Sequence, residues 1–312
     1  MIIDKKTIDK NRVKANFSSA KRYDEFASYH NITLKMIASE IDLYLKSVSG
    51  LPCLKNNPVN ILDAGCGTGS SLFYLKNSVD KNINYFGIDI AKGLLHQSKL
   101  KLSSETLAFL PSGYPAAYRS GIKITAGNVS AGTYLICADC ENLPFKEKKF
   151  EIIFSNMAIH WLNDIPSFFT AVKNTLKDNG LFISSFLAEG TLNELNDCYE
   201  RVMAGAGKTG SIKLHSFPKE EYIRDILIKN GFDVERPLFI KYLEYSDSLF
   251  SILKKINMLG ARNSLAGSEK SESSERYKLL KHVLREYDCL YKTPDNKVFA
   301  TYNIAYVSAR KK

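Results

Sequence analysis

The sequence predicts an α/β chain built on a doubly wound, mostly parallel sheet, on three observations. The first is Val59-Asn60-Ile61-Leu62-Asp63-Ala64-Gly65-Cys66-Gly67-Thr68-Gly69, an apolar run that ends in an acid and enters a turn with glycine at alternate positions. A leucine-rich, β-branched run is what a strand buried on both faces requires. The second is Tyr85-Phe86-Gly87-Ile88, another apolar run, which ends in Asp89 twenty residues past Gly69. The third is the rhythm around both, in which short apolar runs alternate with stretches of helical periodicity.

Taken in order, residues 1–16 are polar and basic and read as a loose arm. Aromatic residues at 23, 26 and 29 fall on one helical face, and apolar spacing continues the helical pattern from Asn31 to Leu45. Strand one is expected at 58–63 with its helix at 70–78, and strand two at 83–89 with Gly93 to Gln97 in its helix. Glycines at 113, 121, 127 and 132 and prolines at 111 and 115 make 102–132 an inserted surface loop. Thr133 to Ala138 is strand three, Phe150 to Phe154 strand four, 164–177 a helix and Leu181 to Phe186 strand five. Thr191 and Glu194 have the spacing of a capping box. A helix from Pro218 to Asn230 is stopped by Gly231, and 233–244 reads as strand six. An amphipathic helix over 246–261, a serine-rich stretch, a helix at 277–287 and a strand at 297–308 complete seven strands. The whole, 1–312, is expected to be one domain: a helical cap at 17–50, a core at 58–187, a lid with strand six at 188–290, and the final strand.

The glycines point to chemistry. They permit a tight turn that a ligand can approach without a Cβ in the way. Behind them Ser70 opens a helix whose N–H groups face the same crevice. Asp89, at the tip of strand two, is placed to accept from both hydroxyls of a ribose. A dinucleotide site would need G-x-G-x-x-G, whereas here the spacing is G-x-G-x-G with Asp63 directly before it. A carboxylate there repels pyrophosphate but suits a positively charged ligand such as S-adenosylmethionine. Asp139, after strand three, is where an adenine amino group would meet a carboxylate. The expected cofactor contacts are therefore Asp63, Gly65, Gly67, Gly69, Asp89, Ile90, Asp139, Cys140 and Asn156. Asn156, His160 and Trp161 follow strand four and should border the methyl acceptor.

Other features bound the function. The chain has 43 Lys+Arg against 33 Asp+Glu, a net charge of +10, which favours an acidic partner. The N-terminus lacks the apolar core of a signal peptide, and no run has the length of a membrane span. Scattered cysteines suit reduced thiols in the cytoplasm, and Cys137-Ala138-Asp139-Cys140 has no second pair to make a metal site. Gly205-Ala206-Gly207-Lys208-Thr209 echoes a phosphate loop without its full spacing. No metal, nucleic-acid or membrane partner is expected, and the chain should be a monomer.

The turn and the acids resemble those of class I methyltransferases, which have a Rossmann-like sheet, and four further stretches narrow the resemblance. Phe17-Ser18-Ser19-Ala20 with Tyr23, Ser155 to Trp161, Phe186 to Leu195 and Leu259-Gly260-Ala261 stand in the order found in the malonyl-[acyl-carrier-protein] O-methyltransferases of biotin synthesis. The likeness runs from about residue 17 to the terminal strand. Three features depart from that family: the long 102–132 insertion, His160 where glutamine is usual, and Asn257 where lysine is common.

The resemblance implies methylation of the free carboxylate of a malonyl thioester on acyl carrier protein. A carboxylate is already ionised at neutral pH, so no general base is expected. Tyr23, Asn156, His160, Trp161, Lys254 and Arg262 are the candidates for the acceptor pocket, Tyr23 also capping the cofactor. Lys208, Lys213, Lys254 and Lys255 are candidates for docking the acidic carrier. Three alternatives stay open: a small-molecule carboxylate acceptor such as an aconitate-like acid, a nucleic-acid methyltransferase, and a non-catalytic protein that keeps the fold. Ser-Asn-Met-Ala after strand four, in place of Asn/Asp-Pro-Pro-aromatic, weighs against the second.

Overall fold

A computed structural model describes residues 7–48, 57–78, 82–102, 107–109, 122–124, 130–207, 215–235, 237–262 and 273–312. Helices α1 (Lys10–Ser18), α2 (Tyr23–Phe26) and α3 (Ser28–Ser47) precede the sheet. The core follows as β1 (Val59–Ala64), α4 (Ser70–Ser78), β2 (Ile83–Asp89), α5 (Lys92–Leu102), β3 (Leu107–Phe109), β4 (Ile122–Ile124), β5 (Ser130–Cys137), β6 (Phe150–Asn156), a 3₁₀ turn at Ile159–Trp161, α6 (Ile165–Thr175) and β7 (Leu176–Leu187). Then come α7 (Asn193–Gly205), α8 (Glu220–Lys229), β8 (Phe232–Val234), β9 (Leu238–Ser246), α9 (Leu249–Met258), α10 (Ser273–Leu290) and β10 (Val298–Lys311). No helix among the described residues is long and apolar enough to cross a membrane.

The sheet runs β3-β4-β5-β2-β1-β6-β7-β10-β8, with β9 also on β10. β5, β2, β1, β6 and β7 pair in parallel, and β10 lies antiparallel to β7. Strand order reverses beside β1, so the crevice at its carboxyl end is where a ligand fits. Successive residues of these strands serve two cores. Leu62, Phe86, Ile153 and Phe182 face α6 and α8, while Ile61, Tyr85, Ile152 and Ile183 face α3 and α4. Both faces are covered, which is why the strands are apolar throughout instead of alternating. Each large side chain so buried contributes roughly 1.5–3 kcal/mol. A third apolar cluster joins α7, α9 and α10 to β10.

The doubly wound, mostly parallel sheet is the one expected, but it is wider than seven strands. The 102–132 insertion is not all loop: β3 and β4 extend the sheet beyond β5 as antiparallel strands. Strand six is two strands, β8 and β9, which pair with separate parts of β10 on either side of Pro237. Proline lacks the N–H that a continuous strand would use. The arm before residue 17 contains α1, capped by Asp9, whose side chain accepts from the N–H groups of Asn11 and Arg12. Val13 and Ile8 are buried against Phe17, Ile90 and Trp161, which anchors the helix. The helix expected to run unbroken through residues 23–29 breaks at Ala27 (φ −85°, ψ 41°). Tyr23 and Tyr29 therefore do not share a face. Thr191 and Glu194 form no capping box: Leu192 is the N-cap, and Glu194 instead accepts from Thr301 on β10. The helix expected at Pro218 begins at Glu220.

Candidate active site

The glycine turn closes onto strand two. Gly65 N–H and Cys66 N–H both donate to the Ile88 carbonyl at 2.9 Å, and Gly65, Gly67 and Gly69 all have positive φ. A Cβ on Gly65 would overlap Ala158, so the turn must approach the chain after β6 closely. Gly69 serves packing: a Cβ there would overlap Ser98 on α5.

Three carboxylates surround the crevice. Asp89 accepts from Gly67 N–H at 2.9 Å and Ala91 N–H at 2.7 Å, which aims it across the turn. Burial pushes it up to about 6 despite those bonds. Asp63 is 2% exposed; its Oδ2 accepts from Tyr85 at 2.6 Å and from Ser71, while its Oδ1 is buried without a partner. Burial pushes Asp63 up to about 7. An unpartnered carboxylate oxygen beneath the glycine turn fits a cationic amine, as S-adenosylmethionine carries. Asp139 pairs with Lys10 at 3.2 Å, and the same ammonium reaches Glu141 at 2.8 Å. Helix α1 thus lies over the crevice, held also by the Asn163 side chain, which bonds both backbone groups of Ile8.

The expected cofactor residues converge. Gly65, Gly67, Asp89, Ile90, Asp139, Cys140 and Asn156 line one crevice, and Asp63 lines an adjoining recess with Gly65 and Gly67. Asn156 is a strut on this side and not an acceptor-cavity residue. Its Oδ1 accepts from Thr33 and Ser185, and its Nδ2 donates to the His30 carbonyl. Cys137 and Cys140 are free thiols, and among the described residues no cluster of three His, Cys, Asp or Glu is placed to hold a metal.

A second cavity, about 270 Å³, opens beyond Tyr23, Met157 and Trp161, which line both it and the crevice. It is walled by aromatic and aliphatic side chains, with Phe17 edge-on to Trp161 at 5.2 Å. Three histidines line it, each neutralised by burial. His30 is lowered to about 3, His215 to about 4, and His160 well below its ordinary value. His160 Nδ1 accepts from Leu187 N–H at 3.3 Å, and His215 Nε2 meets the His160 carbonyl at 2.5 Å. The buried phenols of Tyr23, Tyr29 and Tyr302 are pushed up. No Asp, Glu or Lys stands among the described lining residues; exposed Arg262 is the cation among them.

Of the acceptor candidates, Tyr23, His160, Trp161 and Arg262 meet at this cavity. Lys254 does not line it and is exposed on α9, while Lys255 pairs with Glu244 at 2.7 Å. Lys208 and Lys213 lie outside the described residues. Sequence reasoning missed His30, His215 and Tyr302, which arrive from separate elements with no shared spacing. The Gly-Ala pair acquires a physical account. Gly260 has φ +74°, and a Cβ there would stand 2.8 Å from the Asn16 carbonyl oxygen at the end of α1.

Residues 62–184 match the methyltransferase domain family. Relatives named malonyl-[acyl-carrier protein] O-methyltransferase match the chain from end to end, as the resemblance implied; one from Methylovorus sp. is 27% identical over 100% of this chain and 92% of its own. A relative of another name, the mitochondrial arginine-hydroxylase NDUFAF5 of Dictyostelium discoideum, is 24% identical over 97% of this chain and 63% of its own. Among solved structures, a putative methyltransferase from Bacillus halodurans shares the fold with a TM-score of 0.50 at 14% identity, covering 86% of this chain and 97% of that one.

Proposed function

We propose that this chain, an S-adenosylmethionine-dependent methyltransferase, moves the methyl group to the free carboxylate of a malonyl thioester carried on acyl carrier protein. The observation that carries this reading is the absence of a usable base among the described residues of the acceptor cavity. A general base is most effective with a pKa near the working pH, and these imidazoles are far below it. An alcohol or ammonium acceptor would have to lose a proton there. A carboxylate arrives without one.

S-adenosylmethionine, when bound, supplies a methyl carbon made electrophilic by its sulfonium. Asp89 would hold the ribose, Asp139 the adenine end, and Asp63 the amino group. Tyr23, Met157 and Trp161 stand where the two cavities join. They would exclude water from the transfer and constrain the acceptor's approach. In the transfer, an oxygen–carbon bond would replace the carbon–sulfur bond, and the opposite charges of acceptor and sulfonium would cancel. No proton moves.

Relatives named for this reaction, matched along the whole chain, support the acceptor, and the net charge of +10 suits an acidic carrier. The methyl ester would mask the carboxylate for the chain extension that leads to biotin. The test is mass spectrometry of malonyl-acyl-carrier-protein incubated with enzyme and S-adenosylmethionine, beside malonyl-CoA and free malonate. A gain of one methyl, fastest on the carrier-bound species, is the expected result. Methylation of free acids alone would instead select a small carboxylate, such as an aconitate-like acid, as the acceptor.

A further inference from the structure

One carboxylate ties the cover of the site to its floor. Asp24 stands on α2, next to Tyr23. Its Oδ1 accepts from Thr68 Oγ1 at 2.6 Å and from Ser70 Oγ at 3.0 Å, and its Oδ2 accepts from Lys101 Nζ. Thr68 belongs to the glycine turn and is 2% exposed, Ser70 opens α4, and Lys101 stands in the last turn of α5. Three parts of the core thus converge on one side chain of a four-residue helix.

A helix of one turn has little stability of its own. Helix α2 also leaves helical geometry at both ends, at Arg22 (φ −125°, ψ 34°) and at Ala27 (φ −85°, ψ 41°). Its place is therefore set by what its side chains hold. Arg22 and Glu25 hold each other, at 2.9 Å, and are exposed. Tyr23 adds apolar contact with Ala91 and Leu94, which has no preferred direction. Asp24 supplies directional bonds to the core.

An exposed ion pair contributes little, and the Asp24 side chain is 41% exposed. Here, though, a single carboxylate takes three donors, one of them on a buried residue, and charge-assisted bonds are the strong ones. Burial raises the Asp24 carboxyl, yet the bonds from Lys101 and Thr68 outweigh it and hold the group below the usual carboxylate range.

The position of Tyr23 matters on both sides of the site. It lines the cofactor crevice, the recess beside Asp63 and the acceptor cavity. A molecule that leaves the crevice past α2 requires that α2 lift. All three bonds of Asp24 run from α2 to parts that stay behind.

We propose that Asp24 is a positioning residue: it clasps α2 to the glycine turn, holds Tyr23 as the wall shared by cofactor crevice and acceptor cavity, and must release before the cofactor enters or leaves. The proposal rests on the cofactor of the proposed function and is indifferent to its acceptor. The Asp24 oxygens are occupied by the protein, so the clasp governs how fast the cofactor passes more than how tightly it is held.

Surface plasmon resonance of the immobilised chain with S-adenosylhomocysteine measures both rates. In Asp24→Ala, association and dissociation should each quicken about tenfold, while the dissociation constant stays within about threefold of wild type. Asp24→Asn, which can still accept from Thr68 and Ser70 but no longer pairs with an ammonium, should fall between. Lys101→Met should quicken exchange in the wild-type chain and add nothing to Asp24→Ala; it also tests the clasp if Asp24→Ala does not fold. Trp161, the chain's single tryptophan, lines the crevice with Tyr23, so acrylamide should quench the Asp24→Ala protein more strongly than wild type. Unchanged rates with only a lower melting temperature would make Asp24 a merely structural residue and overturn the proposal. A raised dissociation constant with unchanged association would make it a direct ligand of the cofactor, and would overturn the clasp as well. Quickened exchange in an enzyme that never methylates malonyl-acyl-carrier-protein would sustain the clasp and sink only the acceptor reading.

Discussion

The two halves of the site use burial in opposite ways. In the cofactor crevice it raises acids: Asp63 to about 7 and Asp89 to about 6. In the acceptor cavity it lowers bases: His30 to about 3 and His215 to about 4. Desolvation disfavours whichever form is charged, so both halves drift toward neutrality in the free protein. The difference lies in what each half receives. A cationic cofactor restores charge to the carboxylates, and so gains affinity from their burial. On the proposed reading, an anionic acceptor would meet neutral imidazoles and keep its charge for reaction.

The largest effect should come from removing a carboxylate on the charged side. On the proposed assignment, Asp89→Ala deletes the acceptor for two ribose hydroxyls. Hydrogen bonds to a charged group contribute about 1.5–3 kcal/mol each, so the dissociation constant for S-adenosylmethionine should rise at least about a hundredfold by calorimetry. Acceptor binding, read by Trp161 fluorescence, should barely change. Equal loss on both sides would mean that the halves are not separable.

Next in size is pH. Ionised Asp63 favours the cofactor's ammonium, and its folded value is raised, so protons compete with the cofactor as pH falls below about 7. Affinity should drop about tenfold per pH unit below that point while one proton is taken up. Stability of the free protein should run the other way. A carboxyl raised in the folded state binds protons more tightly than the unfolded chain does, so its contribution declines as pH rises from 3.8 toward 7. Melting curves with and without S-adenosylhomocysteine across pH 5–8 would test both signs. A cofactor affinity flat over that range would remove Asp63 from the binding role.

Gly260→Ala should join the two halves in a common defect. Its φ of +74° and the Asn16 carbonyl 2.8 Å away leave no room for a methyl group. The strain is of order 1–3 kcal/mol. Because α1 lines the crevice through Lys10 and Val13 and the cavity through Phe17, the Michaelis constants for both substrates should rise together. Only one of them rising would show that α1 serves a single pocket.

The halves also differ in how much the sequence reveals. The cofactor side is made at the tips of β1, β2 and β5, where each acid lies within two residues of the end of its own strand. Strand period and spacing therefore locate Asp63, Asp89 and Asp139 without knowledge of packing. The acceptor side is assembled from α1, α3, the turn at Ile159–Trp161, His215 and the residues after α9. No local period links those segments: strand order alone pointed to His160 and Trp161, the family likeness strengthened them and Tyr23, and nothing pointed to His30. The insertion failed for a related reason. β3 and β4 are three residues each, too short to show alternation, and they exist as strands because β5 offers an edge. The capping-box spacing at Thr191 was outcompeted by tertiary partners on β10, where Thr191 accepts from Asn303 N–H.

The smallest expected effect sharpens the comparison at its border. Lys10 is the ammonium that faces the crevice carboxylates from the helix covering them, at 2.8 Å from Glu141 and 3.2 Å from Asp139. Its side chain is 23% exposed, so the pair is only partly screened by solvent, and such contacts are worth about 1 kcal/mol or less. Lys10→Met keeps the stem over the crevice and removes the charge. The Michaelis constant for S-adenosylmethionine should rise about threefold to fivefold, and the wild-type advantage should shrink in high salt. The acceptor's constant should hold. A Lys10→Met enzyme with tighter cofactor binding would mean that the ammonium competes with adenine for Asp139, and α1 would then be a gate that the cofactor displaces.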